Sequence, residues 1–193
     1  MKTLLTLFVL LFSSSVFADN ISDFQIEGMS VGDSLLDYFS EEEIFNNKIN
    51  YFQGKRQFYV VSSGNLKLNN FDSIEFYLKT DDSKFIIRYF GAFIFYSNNF
   101  DDCKIKQQEI VSEIKYVLKN AKMIDEGTFS HIYDKTGKSK QTRINFLLNS
   151  DYVSVECLNW SKEIHKENPS WFDNLSLIAG TDEVMQWFAS GYK

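Results

Sequence analysis

Two cysteines, Cys103 and Cys157, are the residues of this 193-residue chain whose type most directly indicates chemistry. A redox role would favour a close Cys-x-x-Cys pair, and their spacing does not provide one. Cys103 lies seven residues before Ile110, on the apolar face of a predicted helix, and Cys157 shares a predicted strand face with Val153 and Val155. In an exported protein this arrangement favours a structural disulfide, so we predict a Cys103–Cys157 bridge. Two buried thiols are the alternative.

The histidines, His131 and His165, are the next candidates for catalysis or metal binding. Neither has a second His or Cys three or four residues away, which a compact metal site would favour. We therefore interpret both as structural or surface residues, and predict no catalytic residue, metal site or cofactor. A Ser-His-Asp set built from distant residues stays open, although the chain has no Gly-x-Ser-x-Gly elbow.

The segment Thr136-Gly137-Lys138-Ser139 is similar to the end of a phosphate-binding loop. The glycine required five residues before Gly137 is replaced by Ile132, and the segment joins two predicted strands. We interpret it as a hairpin turn. The basic residues nearby could meet an acidic partner, but a solvated hairpin tip is favoured for Lys135, Lys138, Lys140 and Arg143.

The first 18 residues have the pattern of a secretory signal peptide. Lys2 precedes a short apolar run that ends near Phe12, and the small residues Val16 and Ala18 stand at the predicted cleavage site before Asp19. The run is too short to span a bilayer, so we predict no membrane span. A periplasmic or secreted location follows, with residues 19–193 forming a single domain.

The composition narrows the classes of partner. The formal net charge of −6 disfavours binding to nucleic acid or to an anionic membrane. Hydrophobic residues make up 44% of the chain, which is enough to build a core and argues against disorder.

Helical spacing predicts an amphipathic helix from about residue 101 to residue 121, with Ile110, Ile114 and Val117 on its apolar face. Two short helices are predicted near the N-terminus. Ser30 is placed to cap the first, and Ser40 with Glu43 has the spacing of a capping box for the second.

Alternating apolar residues predict three strands before the central helix and three after it. The sequence therefore predicts an α+β fold, with antiparallel strands in two three-stranded sets separated by a central amphipathic helix, and with N-terminal and C-terminal helices. This order suggests an αβββ duplication of residues 28–96 and 101–160, followed by a helical tail at 161–193. Gly91 indicates a bulge or bend inside the third strand. The predicted strands are 58–63, 74–79, 85–96, 128–133, 143–148 and 153–157.

The tail is rich in large aromatic residues, and Thr181 is placed to cap its last helix. Such a concentration could form a docking surface. Packing back over the sheet is the commoner outcome for such side chains and is favoured here. The residues concerned are Trp160, Trp171, Phe172, Trp187 and Phe188.

The stretch Ile26-Glu27-Gly28-Met29-Ser30-Val31-Gly32-Asp33-Ser34-Leu35-Leu36 resembles the opening of small secreted bacterial modules of the BamE and beta-lactamase-inhibitor-protein group. Those modules have a Leu-Gly-x-Pro end to their first helix, where this chain has Tyr38 to Glu41. The resemblance implies a binding or assembly protein. The wider stretch through Glu43 is similar to uncharacterised exported proteins of marine alphaproteobacteria.

These observations favour a non-catalytic binding or envelope-associated module in the periplasm. Its partner would be an envelope protein or an apolar small molecule. Two alternatives stay open, namely a carrier of a small apolar ligand and a hydrolase that uses His131 or His165.

Overall fold

The computed structural model describes residues 20–49, 51, 56–64, 66–96 and 99–192. The predicted signal peptide and its cleavage site between Ala18 and Asp19 lie outside these residues. The described part contains ten strands and four α-helices, together with single turns of 3-10 helix at Ile21–Asp23 and Leu35–Asp37. In chain order the elements are β1 (Gln25–Ile26), β2 (Met29–Ser30), α1 (Glu41–Asn46), β3 (Lys48–Ile49), β4 (Phe58–Ser62), β5 (Ser73–Lys79), β6 (Ile87–Phe95), α2 (Phe100–Val117), β7 (Lys122–Ser130), β8 (Lys140–Leu148), β9 (Asp151–Asn159), α3 (Lys162–Glu167), β10 (Asn174–Gly180) and α4 (Asp182–Ala189).

Eight of the strands form one antiparallel sheet in the order β3-β4-β5-β6-β10-β9-β8-β7, and β1 pairs with β2 as a separate hairpin. The α+β class stands, but the prediction of two three-stranded sets separated by a helix is wrong. β10 lies between β6 and β9 and pairs with both, so it joins the two sets into a single sheet.

The joining strand β10 lies in the segment 161–193, for which the sequence predicts a helical tail. Leu175, Leu177 and Ala179 alternate with Ser176 and Ile178, which is the period of a strand. Four of these five residues are buried, because β10 is central in the sheet and has a neighbouring strand on each side. The segment from 161 onward therefore contains α3, β10 and α4.

One face of the sheet packs against α2 and the N-terminal segment. The predicted apolar side of the helix is buried at Ile110, Ile114 and Val117. Burying these side chains with those of the strands supplies most of the stabilisation, at about 25 cal/mol per Å² of apolar surface. The largest fully buried strand residues on this face are Phe76, Phe90, Phe146, Ile74, Leu78 and Ile87.

Covalent and polar contacts attach α2 to the sheet. Cys103 and Cys157 form the disulfide predicted from sequence, with sulfur atoms 2.04 Å apart. The buried Gln107 amide donates to the carbonyl of Val155 at 2.8 Å and accepts from the Thr142 hydroxyl at 3.0 Å. The helix is capped by Asn99 and ends at Val117, earlier than predicted, because β7 already begins at Lys122.

The N-terminal helix predicted after Ser30 is replaced by an extended segment, which pairs with backbone far away in the sequence. The backbone of Gly32 donates to the carbonyl of Ile87, and that of Leu35 donates to Phe85. This extended pairing leaves room for a single 3-10 turn, capped by Ser34. The capping box of Ser40 and Glu43 is confirmed at the start of α1.

The bulge expected at Gly91 lies elsewhere. The register between β5 and β6 shifts at Arg88, because Tyr77 pairs with Tyr89 while Leu78 pairs with Ile87. Gly91 instead allows a close approach, since a Cβ there would lie 3.2 Å from the Phe93 ring.

Candidate functional site

The sheet face opposite α2 is only partly covered, and we call its concave surface the groove. Register places outward-facing residues of five strands side by side, and many of them are polar. Such a row of polar side chains on a sheet floor is suited to ligand contact rather than to core packing. Its two central rows are Glu75, Gly91, Ile178, Ser154 and Asn145, and beside them Ser73, Phe93, Ser176, Glu156 and Arg143.

Glu156 is the centre of a hydrogen-bond network on this floor. Its carboxylate accepts from Arg143 Nε at 2.8 Å, from the Gln141 amide at 2.5 Å and from the Ser154 hydroxyl at 3.0 Å. Arg143 also contacts Glu126 at 3.4 Å. Desolvation lowers the pKa of Arg143, but the charges of Glu156 and Glu126 outweigh it and raise the pKa overall. The network is therefore a fixed, charged patch in which each carboxylate has a cation.

A tyrosine cluster under α4 forms one wall of the groove. The rings of Tyr77 and Tyr89 are 4.6 Å apart, and Phe188 of α4 lies 5.5 Å from each. Gly180 leaves the space that Tyr89 and Tyr152 occupy, since a Cβ there would lie 2.6 Å from the Tyr89 ring. Burial raises the pKa of Tyr77 and Tyr89, so both phenols stay neutral at physiological pH.

A second aromatic cluster forms the wall at the other end of the strands. His131 lies edge-on to Trp160 at 4.4 Å, and Trp160 is 4.8 Å from Trp171. Phe95 and Phe172 form a further pair at 5.2 Å, and both are exposed. The aromatic residues of the predicted tail are therefore divided. Trp187 and Phe188 of α4 pack over the sheet beside the tyrosine cluster, whereas Trp160, Trp171 and Phe172 line an open cavity.

A tyrosine from each side of the groove lines the larger cavity. They are Tyr133, from the β7–β8 connection, and Tyr192, after α4. The groove includes two adjoining cavities of about 1010 and about 610 Å³, which share Phe93, Leu158 and Asn174. Both are of a size that holds a small ligand or a segment of a larger one.

Glu75 stands in the larger cavity, on the outward side of β5. Its carboxylate accepts a hydrogen bond from the Tyr51 hydroxyl at 2.5 Å. Burial raises the pKa of Glu75, and the Tyr51 hydrogen bond opposes that rise. Among the described residues no Lys, Arg or His forms an ion pair with it. Glu75 therefore differs from Glu156, whose charge is compensated within the chain.

His131 lies at the rim of the smaller cavity. Its Nδ1 accepts from the backbone N–H of Tyr133 at 3.3 Å. Burial lowers the pKa of His131, with Arg143 acting in the same direction against Glu156 and Asp134. The ring is therefore neutral near pH 7 and packs as an aromatic residue against Trp160.

His165 lies on α3, where its Nε2 is 3.1 Å from Oδ1 of the buried Asp173. The same carboxylate accepts from the backbone N–H of Trp160 and from the Asn159 amide. In the part of the chain with assigned positions, no Ser, Thr or Cys side chain hydrogen-bonds to either histidine. The structure thus holds His165 at an aspartate but brings no nucleophile to it.

The turn from residue 134 to residue 139 is built around the carboxylate of Asp134. Asp134 accepts from the hydroxyls of Thr136 and Ser139 and from their backbone N–H groups. These hydrogen bonds lower the pKa of Asp134 well below its usual range. The turn satisfies its own polar groups, which supports the interpretation as a hairpin connection.

The four basic residues near this turn do not form one patch. Lys138 pairs with Glu163, and Lys140 donates to the carbonyl of Gly137. Arg143 instead lies on the groove floor.

Glu75, Tyr77 and Glu156 were not chosen from the sequence. Their signal was present in the alternation of β5 and β9, where they occupy the outward positions. The sequence does not say which face of the sheet stays open, because α4 and α2 are both apolar helices.

In the described ranges no group of three or more His, Cys, Asp or Glu side chains is placed to hold a metal ion. None of the helices within these ranges is long and apolar enough to cross a membrane. Comparisons with protein-family models, with curated proteins and with solved structures found no match for this chain.

Proposed function

We propose that this chain is a non-catalytic binding module of the cell envelope and that it binds its partner or ligand in the groove. The observation that carries the proposal is the combination of a charged floor with exposed aromatic walls. Binding surfaces commonly combine large rigid aromatic side chains with a few fixed polar groups. The predicted export signal, the disulfide and the resemblance to secreted binding modules support the envelope location, and the signal and the resemblance stay predictions.

The groove argues for binding rather than for catalysis. Its carboxylates at Glu126 and Glu156 both contact the single guanidinium of Arg143, and His131 makes no contact with a hydroxyl nucleophile among the described residues. A hydrolase that uses His131 or His165 stays an alternative prediction without such a contact to support it.

A carrier of a small apolar ligand would hold the ligand in a pocket between the sheet and the helix that crosses it. That space is filled by buried side chains such as Ile114, Phe146 and Val155. The cavity that is present lies on the other face and exposes the charged groups of Glu75 and Arg143. A ligand with polar groups fits this lining better than a purely apolar one.

A site-specific photocrosslinker tests the proposal in cells that express the full chain. Phe172, at the groove rim, is replaced by a benzophenone amino acid, and Tyr116, on the exposed side of α2, is replaced in a matched control. We expect adducts from position 172 that position 116 does not give. Equal adducts from both positions, or none from position 172, would contradict binding in the groove.

A further inference from the structure

We propose that the larger cavity of the groove binds an organic cation, such as an alkylammonium group, against the carboxylate of Glu75. This inference rests on the proposed function and names the chemistry of the ligand at one end of the groove.

The first observation is the charge of Glu75. Its carboxylate is half-buried at the cavity floor and accepts a single hydrogen bond, from Tyr51, in the described structure. A carboxylate held away from water without a cation is unfavourable, and a cationic ligand would supply the missing charge.

The second observation is that the neighbouring cations are engaged elsewhere. Lys79, on the same side of β5, has its Nζ 2.6 Å from the carboxylate of Glu183. Arg56 lines the far end of the cavity. It precedes Phe58, which pairs with Lys79. Lys79 is four residues, or roughly 13 Å, along β5 from Glu75. The Nη1 of Arg56 donates to the carbonyl of Tyr192 at 2.8 Å.

The third observation is the aromatic lining around the carboxylate. Tyr51, Tyr77 and Tyr192 line the same cavity as Glu75. Burial raises the pKa of all three phenols, so their rings are neutral at physiological pH. Neutral aromatic faces around one carboxylate are the arrangement that binds ammonium groups through cation–π attraction.

The comparison within the groove argues against an anionic ligand. The arginine on the floor, Arg143, already contacts Glu156 and Glu126, so that patch carries two carboxylates for one guanidinium. The smaller cavity therefore favours positive over negative ligand groups.

Isothermal titration calorimetry of the full mature chain tests the proposal with two cations, choline and 1,5-diaminopentane. The uncharged isostere 3,3-dimethylbutan-1-ol serves as the control ligand for choline. We expect at least one cation to bind with a dissociation constant of about 1 mM or lower, and the isostere to bind at least about tenfold more weakly.

Glu75→Gln should weaken cation binding by about tenfold or more, because it removes the charge and keeps the shape. Glu109→Gln is the matched control, since it removes an exposed carboxylate of α2, which packs against the other face of the sheet, and it should leave affinity within about twofold. Tyr51→Leu, at an exposed position, should bind roughly two- to fivefold more weakly than Tyr51→Phe, which also lacks the hydroxyl that donates to Glu75 but keeps the ring.

The proposal is overturned if neither cation binds at concentrations up to about 100 mM, if the isostere binds equally well, or if Glu75→Gln and Tyr51→Leu both keep full affinity. Failure here together with adducts at position 172 would leave the groove as a binding site for another class of ligand. Failure of both experiments would remove the proposed function as well.

Discussion

The two faces of the eight-stranded sheet are built from alternate residues of the same strands, yet they have different physical roles. On the face covered by α2, side chains such as Phe90 and Phe146 are fully buried and contact only other apolar groups. On the groove face, Glu75 and Arg143 share a floor with exposed aromatic rings. A period of two residues therefore separates core residues from groove residues within these strands.

The difference shows where polar groups are tolerated. The polar contact between α2 and the sheet, through Gln107, satisfies both ends of its amide. In the groove the Glu156 network is likewise satisfied, but Glu75 has no compensating cation among the described residues. The carboxylate of Glu75 thus lies on the face that forms the groove and not on the face that α2 covers.

Truncating a large side chain should give the largest difference in unfolding free energy between the two faces. Phe90→Ala leaves a cavity in the covered face, and we expect it to lower the free energy of unfolding by about 3–5 kcal/mol. Phe172→Ala at the groove rim should change it by less than about 0.5 kcal/mol. Denaturant unfolding measures both, and equal effects would contradict the division between the faces.

The disulfide, which attaches α2 to the covered face, should raise the free energy of unfolding by a similar amount. Cys103 and Cys157 are separated by 54 residues, and closing such a loop stabilises by about 4 kcal/mol in the chain-entropy model. We expect a reductant to lower the unfolding free energy of the native chain by that order. The Cys103→Ala, Cys157→Ala double variant should be less stable from the start and insensitive to reductant. The prediction is wrong if a reductant leaves the unfolding free energy of the native chain unchanged.

Gly180 tests the packing at the junction of the groove and α4. Gly180→Ala places a methyl group against the rings of Tyr89 and Tyr152, and we expect a loss of roughly 1–3 kcal/mol. The loss should shrink when Tyr89 is also replaced by Ala, because the clash is then relieved. A double-mutant cycle in denaturant measures this coupling, and additive losses would show that the clash is not its cause.

The smallest expected effect is the pH dependence that Glu75 contributes. Because burial raises its pKa, the folded protein holds this proton more tightly than the unfolded chain. Its stabilising contribution is complete below the ordinary pKa of 4.5 and is lost as pH rises through the raised pKa. Glu75→Gln should remove that decline from a stability profile between about pH 4 and pH 8.

Glu163→Gln is the control for that profile. The hydrogen bond with Lys138 lowers the pKa of Glu163, so its contribution has the opposite sign and is lost as pH falls. If Glu75→Gln leaves the slope unchanged, the carboxylate is not buried in solution as the structure places it.

Local patterns in the chain were enough to predict much of the covered face. The apolar stripe of α2, the capping box at Ser40 and the strand face that carries Cys157 are determined by residues within a few positions of one another. Helical and strand periods are read over such distances, and the export pattern added the oxidising compartment that favours a disulfide.

Only the tertiary structure decided the centre of the sheet and the location of the groove. Asn174–Gly180 is a short strand that pairs with β9, which precedes it by one helix, and with β6, which lies far away in sequence, so its pattern alone could not place it between them. The segment after Ser30 became extended because distant backbone at Phe85 and Ile87 offered hydrogen bonds. Glu75 became a candidate site residue because α4 leaves its part of the sheet uncovered, which depends on packing between elements rather than on the sequence around it.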